Sequence, residues 1–180
     1  PPRLPLPELV SKAEPSSAEF ARTFEDIAAR IRAGEFEKVV PMVWDEYEFA
    51  GALNRAMFES CPQPGRFAYG FEFEGEGLAG LTPELLFSVR GETLTTMALA
   101  GTGAAHGPSL LGDSKEVHEH NLVIENISEG LKILGHVKHG ETTERVFGTL
   151  KHLHTPIEVR LNREVRFEEL VTRLHPTAAL

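Results

Sequence analysis

The chain alternates between stretches with a helical apolar period and stretches with a strand period. After Ser16 the apolar positions fall at Phe20, Phe24, Ile27 and Ile31, the spacing of one helix face. Ser16 and Glu19 stand three apart ahead of that stripe, as in a capping box, and Gly34 follows it, so a helix with a buried stripe is predicted over 16–33. FEKVVPMVW (36–44) predicts a short apolar strand, and Pro41 inside it, which cannot donate to a ladder, marks an edge or a bulge. A second helix is predicted over 45–61, with Phe49, Leu53 and Met57 on one face and Pro62-Gln63-Pro64-Gly65 as its breaker. The period then changes to two. FAYGFEF (67–73), LAGLT (78–82), ELLFSVR (84–90) and TLTTMALAG (93–101) predict a β-meander with a tight turn at Gly91-Glu92. Residues 103–112 predict a flexible loop that could cover a site.

The longest helical stretch follows, over 114–134. Asp113 stands three before Glu116, the apolar positions include Val117, Leu122, Ile124, Ile127, Leu131 and Leu134, and Gly135 ends it. In LKHLHTPIEVRL (150–161) a strand would put Leu150, His152 and His154 on one face. A last helix, 167–174, runs into His175-Pro176-Thr177. Hairpin-linked strands with helices between and after them predict an α+β fold, an antiparallel sheet core with helices packed outside.

Composition narrows the classes. The chain has 180 residues, 41% hydrophobic and 25% charged, ordinary for a globular protein, and that length suits one domain or a large part of one. Prolines at 1, 2, 5, 7 and 15 make residues 1–15 read as an extended linker or the trimmed end of a longer chain, with the domain over 16–180. The net charge of −9 argues against nucleic acid or an anionic membrane as partner. No apolar run reaches the roughly 18 residues of a membrane span, and no secretory leader is seen. The lone Cys61 excludes an intramolecular disulfide and fits a reducing cytoplasm. An acidic protein that takes a small anion needs a bound cation or a local Arg/Lys cluster.

Candidate chemistry centres on Thr95–Glu125. A strand ending at Gly101-Thr102 leaves backbone N–H groups at a turn, and the helix after it carries Glu116, Glu119 and His120 on one face. Such a face could hold a cation and an anionic ligand together; the same carboxylates would equally serve as a solvated first turn complementing the helix dipole. Two HxH pairs invite a metal reading. His118 and His120 would point about 200° apart on a helix and cannot share one ion. His152 and His154 on a strand could start a zinc site, but no HExxH or CxxC accompanies them. GxSxG, Walker A and GxGxxG patterns are absent, so nucleophilic serine or cysteine catalysis has no support.

Taken in order, these motifs resemble the chorismate-binding enzymes: isochorismate synthase, salicylate synthase, and the large components of anthranilate and aminodeoxychorismate synthases. The landmarks are Glu37-Lys38-Val39-Val40, Thr82-Pro83-Glu84-Leu85-Leu86, Ala98-Leu99-Ala100-Gly101-Thr102, Lys115-Glu116-x-x-Glu119-His120, Leu150-x-His152-Leu153 and His175-Pro176-Thr177-Ala178-Ala179-Leu180. The resemblance implies an anthranilate synthase component I-like fold and Mg2+-dependent chemistry on chorismate, with Glu119 a metal ligand. It implies substrate contacts from Ala100, Gly101, Thr102, Ala179 and Leu180, and His152 beside the ring. In isochorismate synthases the lysine matching Lys38 is the general base on water and the glutamate matching Glu84 the general acid on the departing hydroxyl, which makes the expected activity an isomerase reaction. Ala100, where some relatives carry a lysine nucleophile, and Ala179, where anthranilate and salicylate synthases tend to carry Thr, point to the isochorismate branch. The alternatives are those relatives or a non-catalytic fragment. The chain departs from the family in VVPMVW after Lys38, in lacking an Arg after Gly101-Thr102, and in stopping at Leu180, ahead of further metal ligands. Only part of the full domain is therefore expected, with the C-terminal segment or a second chain as partner.

Overall fold

The computed structural model describes residues 8–13, 16–44, 46–50, 65–74 and 76–179. These form two compact units, one over 1–64 and 68–81, the other over 65–67 and 82–180.

In the first unit β1 (Glu8–Ala13) pairs antiparallel with β2 (Glu46–Ala50), with a register shift between Leu9 and Ser11. Between them lies α1 (Ser17–Arg32), capped as its sequence predicts: the Ser16 side chain accepts from Glu19 N, and Gly34, at φ 75°, follows its end. A two-stranded sheet of β3 (Phe67–Phe73) and β4 (Glu76–Thr82) completes it. Three expectations change here. The α1 stripe is not buried: Phe20 and Phe24 stack on each other, and Phe24 is 55% exposed. Residues 36–44 form no strand; Pro41 removes a donor, and Trp44 is 73% exposed with no ladder beside it. Residues 46–50 are β2 rather than the start of a helix. EYEFA also alternates with period two, and pairing with β1 satisfies its backbone, which overrides the helical spacing of Phe49. Residues 51–61 of that expected helix lie outside the described residues.

The second unit holds the core. β5 (Ser88–Arg90), β6 (Thr93–Ala104), β7 (Gly135–His139), β8 (Thr143–Phe147) and β9 (Leu150–Leu161) form one antiparallel sheet, in the order β5-β6-β9-β7 with β8 also on β9. α2 (Ser114–Lys132) and α3 (Phe167–Leu174) pack on one face of it. Leu94, Ala98 and Ala100 from β6, and Ile157, Val159 and Leu161 from β9, meet Val123, Ile127 and Leu131 of α2 and Leu170 and Leu174 of α3. Each large side chain so buried contributes roughly 1.5–3 kcal/mol. No described helix is long and apolar enough to cross a membrane.

β7 and β8 lie end to end along one edge of β9, β7 against 157–161 and β8 against 150–154. That arrangement explains a proline in a central strand. Pro156 O accepts from Gly140 N at 2.8 Å, so the missing Pro N–H falls in the gap between β7 and β8, where no ladder bond is lost. The expected meander is interrupted, since β3–β4 is a separate sheet and 84–87 are irregular. There the Thr96 hydroxyl donates to Leu86 O at 2.7 Å. The loop expected over 103–112 is also corrected. Its start continues β6, Leu110–Gly112 form a 3-10 turn, and Leu110 is buried. Glu144 accepts from Ser109 Oγ at 2.8 Å and from Leu110 N, while Lys151 Nζ donates to Gly107 O at 3.1 Å and to Glu144 at 3.0 Å. The segment is latched to β8 and β9.

Candidate active site

The site is built on a break in the β6–β9 ladder. Ala100 pairs with Leu153 and Thr102 with His152, so Gly101 is one residue too many on β6, a β-bulge. Its φ of 73° lies in the left-handed region that only glycine adopts without strain. A strand without the bulge would send the Thr102 side chain to the core face with Ala98 and Ala100. The extra residue turns it to the other face, where His152 stands. Thr102 Oγ1 is 3.1 Å from His152 Nδ1, and Gly101 O is 3.2 Å from the same nitrogen. A carbonyl only accepts, so this contact favours a proton on Nδ1. The Phe147 ring packs beside the imidazole, centroids 6.0 Å apart.

The first turn of α2 meets this bulge. Asp113 caps the helix by accepting from both Lys115 N (2.9 Å) and Glu116 N (3.3 Å). Glu116 does not complete the expected capping box; one carboxylate oxygen accepts the Thr102 backbone N–H at 2.9 Å, and the other accepts from Lys115 Nζ at 2.7 Å. The same ammonium lies 3.1 Å from Glu119 Oε2. Hydrogen bonds to Glu116 first, then Glu119, raise the lysine pKa. The Glu116 side chain is 13% exposed and that of Glu119 28%. His120, expected on their face, instead turns into the sheet. It is 1% exposed, its Nε2 sits 2.7 Å from Thr155 Oγ1, and burial pushes its pKa down.

Glu84 lies elsewhere in the second unit. Thr82 Oγ1 accepts its backbone N–H at 3.1 Å. Burial pushes its carboxyl pKa up, partly opposed by the charge of His175. Past His175, Ala178 N donates to Asn126 Oδ1 of α2 at 3.0 Å, and Ala178 and Ala179 pack against the core.

The structure thus brings together Gly101, Thr102 and His152, and joins them to Glu119 through Glu116 and Lys115. Ala100 is buried in the core facing α2, so its side chain is not among that group. Lys38 is half-buried in the first unit, and Leu180 lies outside the described residues. His154 is buried on the same face of β9 as His152, but among the described residues no three His, Cys, Asp or Glu side chains converge on a metal-sized site. Sequence reasoning missed the contact of Glu116 with Thr102. Its only signal was the cap spacing, which Asp113 satisfies alone.

A strand bulge bearing Gly-Thr, a histidine on the neighbouring strand and a carboxylate turn opposite thus stand together in an α+β fold. Residues 2–180 match the chorismate binding enzyme family, and the chain belongs to it. It is 30% identical to isochorismate synthase EntC of Escherichia coli over 177 residues, 88% of this chain and 45% of that protein. It is 34% identical to anthranilate synthase component 1 of Cereibacter sphaeroides over 107 residues, 53% of this chain and 21% of that protein. Its fold is similar to that of MenF, the menaquinone-specific isochorismate synthase of Escherichia coli, with a TM-score of 0.84, 26% identity, and coverage of 98% of this chain and 45% of that one. The chain spans about 45% of the length of each of these two isochorismate synthases.

Proposed function

We propose that this chain supplies the chorismate site of an isochorismate synthase, a cytoplasmic isomerase that adds water at C2 of chorismate and expels the C4 hydroxyl. The observation that carries this reading is similarity to isochorismate synthase EntC over 88% of the chain. In the proposed reaction Lys38 takes a proton from the attacking water. Glu84 gives one to the departing hydroxyl as the ring double bonds shift. One water enters and one leaves, so the product is an isomer of the substrate. A general acid must hold its proton near neutral pH, and the burial that raises the Glu84 carboxyl pKa supports that role. His152 and Thr102 would stand beside the ring, with Gly101, Ala100, Ala179 and Leu180 completing the substrate contacts.

The family implies Mg2+, and the residues present fit it. Glu119 is an oxygen donor of the hard kind Mg2+ takes when water and substrate complete its shell, and Glu116 stands one helical turn before it. The Lys115 ammonium already sits between them, 2.7 Å from one and 3.1 Å from the other, so positive charge is stabilised there. Glu119 would hold the ion, which when bound would neutralise protein and ligand carboxylates together.

The test is incubation with chorismate and Mg2+, with and without ammonia, and chromatography of the products. Isochorismate alone supports the proposal. Anthranilate formed only with ammonia would favour the second reading, to which the anthranilate synthase similarity points. Chorismate binding without turnover would reduce the chain to a ligand-binding part.

A further inference from the structure

We propose that Glu116 is a positioning residue: its carboxylate clamps the Gly101 bulge to helix α2 and so fixes where the Thr102 hydroxyl and the His152 ring stand. This deepens the reading of the chorismate site and rests on it for its functional consequence.

The bulge creates the need. An extra residue disrupts the ladder locally, and the displaced N–H must find another acceptor or lose a hydrogen bond. The acceptor of the Thr102 N–H is Glu116 Oε2 at 2.9 Å, a charge-assisted contact reached from the first turn of α2. Glu116 is free for this because Asp113 alone takes the two backbone donors of the cap. Closeness is enforced at Gly101. A Cβ there would lie 3.1 Å from Glu116 Oε2 and 3.4 Å from Glu116 O, so the absence of a side chain lets α2 approach the turn.

The consequence reaches His152. Its Nδ1 is held by the Gly101 carbonyl and the Thr102 hydroxyl, the two residues that Glu116 fixes. Helix, bulge and imidazole therefore form one chain of contacts. Glu116 closes the Thr102 backbone N–H, so a ligand is met by the hydroxyl and the imidazole.

The test compares Glu116→Gln and Glu116→Ala in the full chain, by steady-state kinetics with chorismate and by amide hydrogen exchange at Thr102. Gln keeps an oxygen acceptor of the same reach, and Ala removes it. We expect Glu116→Ala to lower kcat about 100-fold with little change in KM, the scale of an ångström-sized misplacement. Thr102 exchange should quicken about tenfold or more, as loss of a hydrogen bond to a charged group implies. Glu116→Gln should keep slow exchange and recover most of kcat. Unchanged Thr102 exchange in the alanine variant, or a glutamine variant as impaired as alanine in both measurements, overturns the clamp. If the wild type fails to turn chorismate over, the functional reading falls, and the exchange comparison still decides whether Glu116 holds the bulge.

Discussion

Replacing Gly101 by alanine tests the geometry of the site at its tightest point. Two costs add. At φ 73° an L-residue sits in the left-handed region, which costs roughly 1–2 kcal/mol relative to glycine. The new methyl would also lie 3.1 Å from Glu116 Oε2, 3.4 Å from Glu116 O and 3.5 Å from Glu116 Cβ. The carboxylate end cannot simply swing aside, because Thr102 N and Lys115 Nζ hold both its oxygens. Relief needs α2 to shift by a few tenths of an ångström, and forcing a methyl into packed structure costs about 1–3 kcal/mol. The sum is about 2–5 kcal/mol, or a fall in Tm of about 10–25 °C for a domain of about 100 residues. Gly91→Ala is the internal control. Gly91 has φ 60° at the first central position of the β5–β6 hairpin, and nothing lies within 4 Å of an added Cβ. It should show the backbone cost alone. Urea unfolding of both variants against the wild type measures the difference, which belongs to the contact with Glu116. If Gly101→Ala is no worse than Gly91→Ala, the close approach of α2 to the bulge is refuted, and the clamp with it.

Three other outcomes follow from the site and its supports. Glu84→Gln should raise stability at neutral pH while abolishing turnover: the folded carboxyl has a raised pKa, so the native chain holds more protons than the unfolded one above the ordinary carboxyl value, and stability falls as pH rises through that window. Urea melts of wild type and variant should converge below about pH 4, and a variant less stable at neutral pH contradicts the assignment. Lys38→Ala should abolish hydroxyl exchange and leave Mg2+-dependent chorismate binding measurable by calorimetry; unchanged turnover removes Lys38 from the chemistry. Lys151→Met should release the latch at 105–112, because the Lys151 side chain is only 6% exposed and holds both Gly107 O and Glu144. Hydrogen exchange should rise first in that segment. Hydrogen bonds from Lys151 and Ser109 hold the Glu144 carboxyl at a pKa of about 2, so the latch contributes above the ordinary carboxyl value and is lost as pH falls toward about 2.

The helices were legible because their signals are local. Ser16 and Asp113 both cap where their side chains predict, and the apolar periods of α1 and α2 give their lengths within a few residues. What failed depends on partners distant in sequence. EYEFA has a helical and a strand reading, and only β1, some forty residues earlier, decides between them. Residues 103–112 look mobile because Gly, Ala, Pro and Ser make up seven of the ten; Glu144 and Lys151 hold them from the neighbouring strands. The α1 stripe announces a partner without saying which segment supplies it, and Phe24 remains largely exposed.

The site shows the same limit at finer grain. Its residues were legible by type and order, but their faces were not. Strict alternation along β6 puts Ala98, Ala100 and Thr102 on one side, and the first two do line the core. One inserted residue reverses the parity, and Thr102 joins His152 instead. A single strand can thus serve the core and the site in succession, and the point of change must be a residue that tolerates φ 73° with a helix against it. The same change explains why Glu116 was misread. Before the bulge is known, no unpaired N–H calls for its carboxylate, and the cap three residues away is the nearest use for it. Once Thr102 N is turned off the ladder, the acceptor it requires lies one short side chain away on α2, and the carboxylate that looked like part of a helix start becomes the joint between helix and sheet.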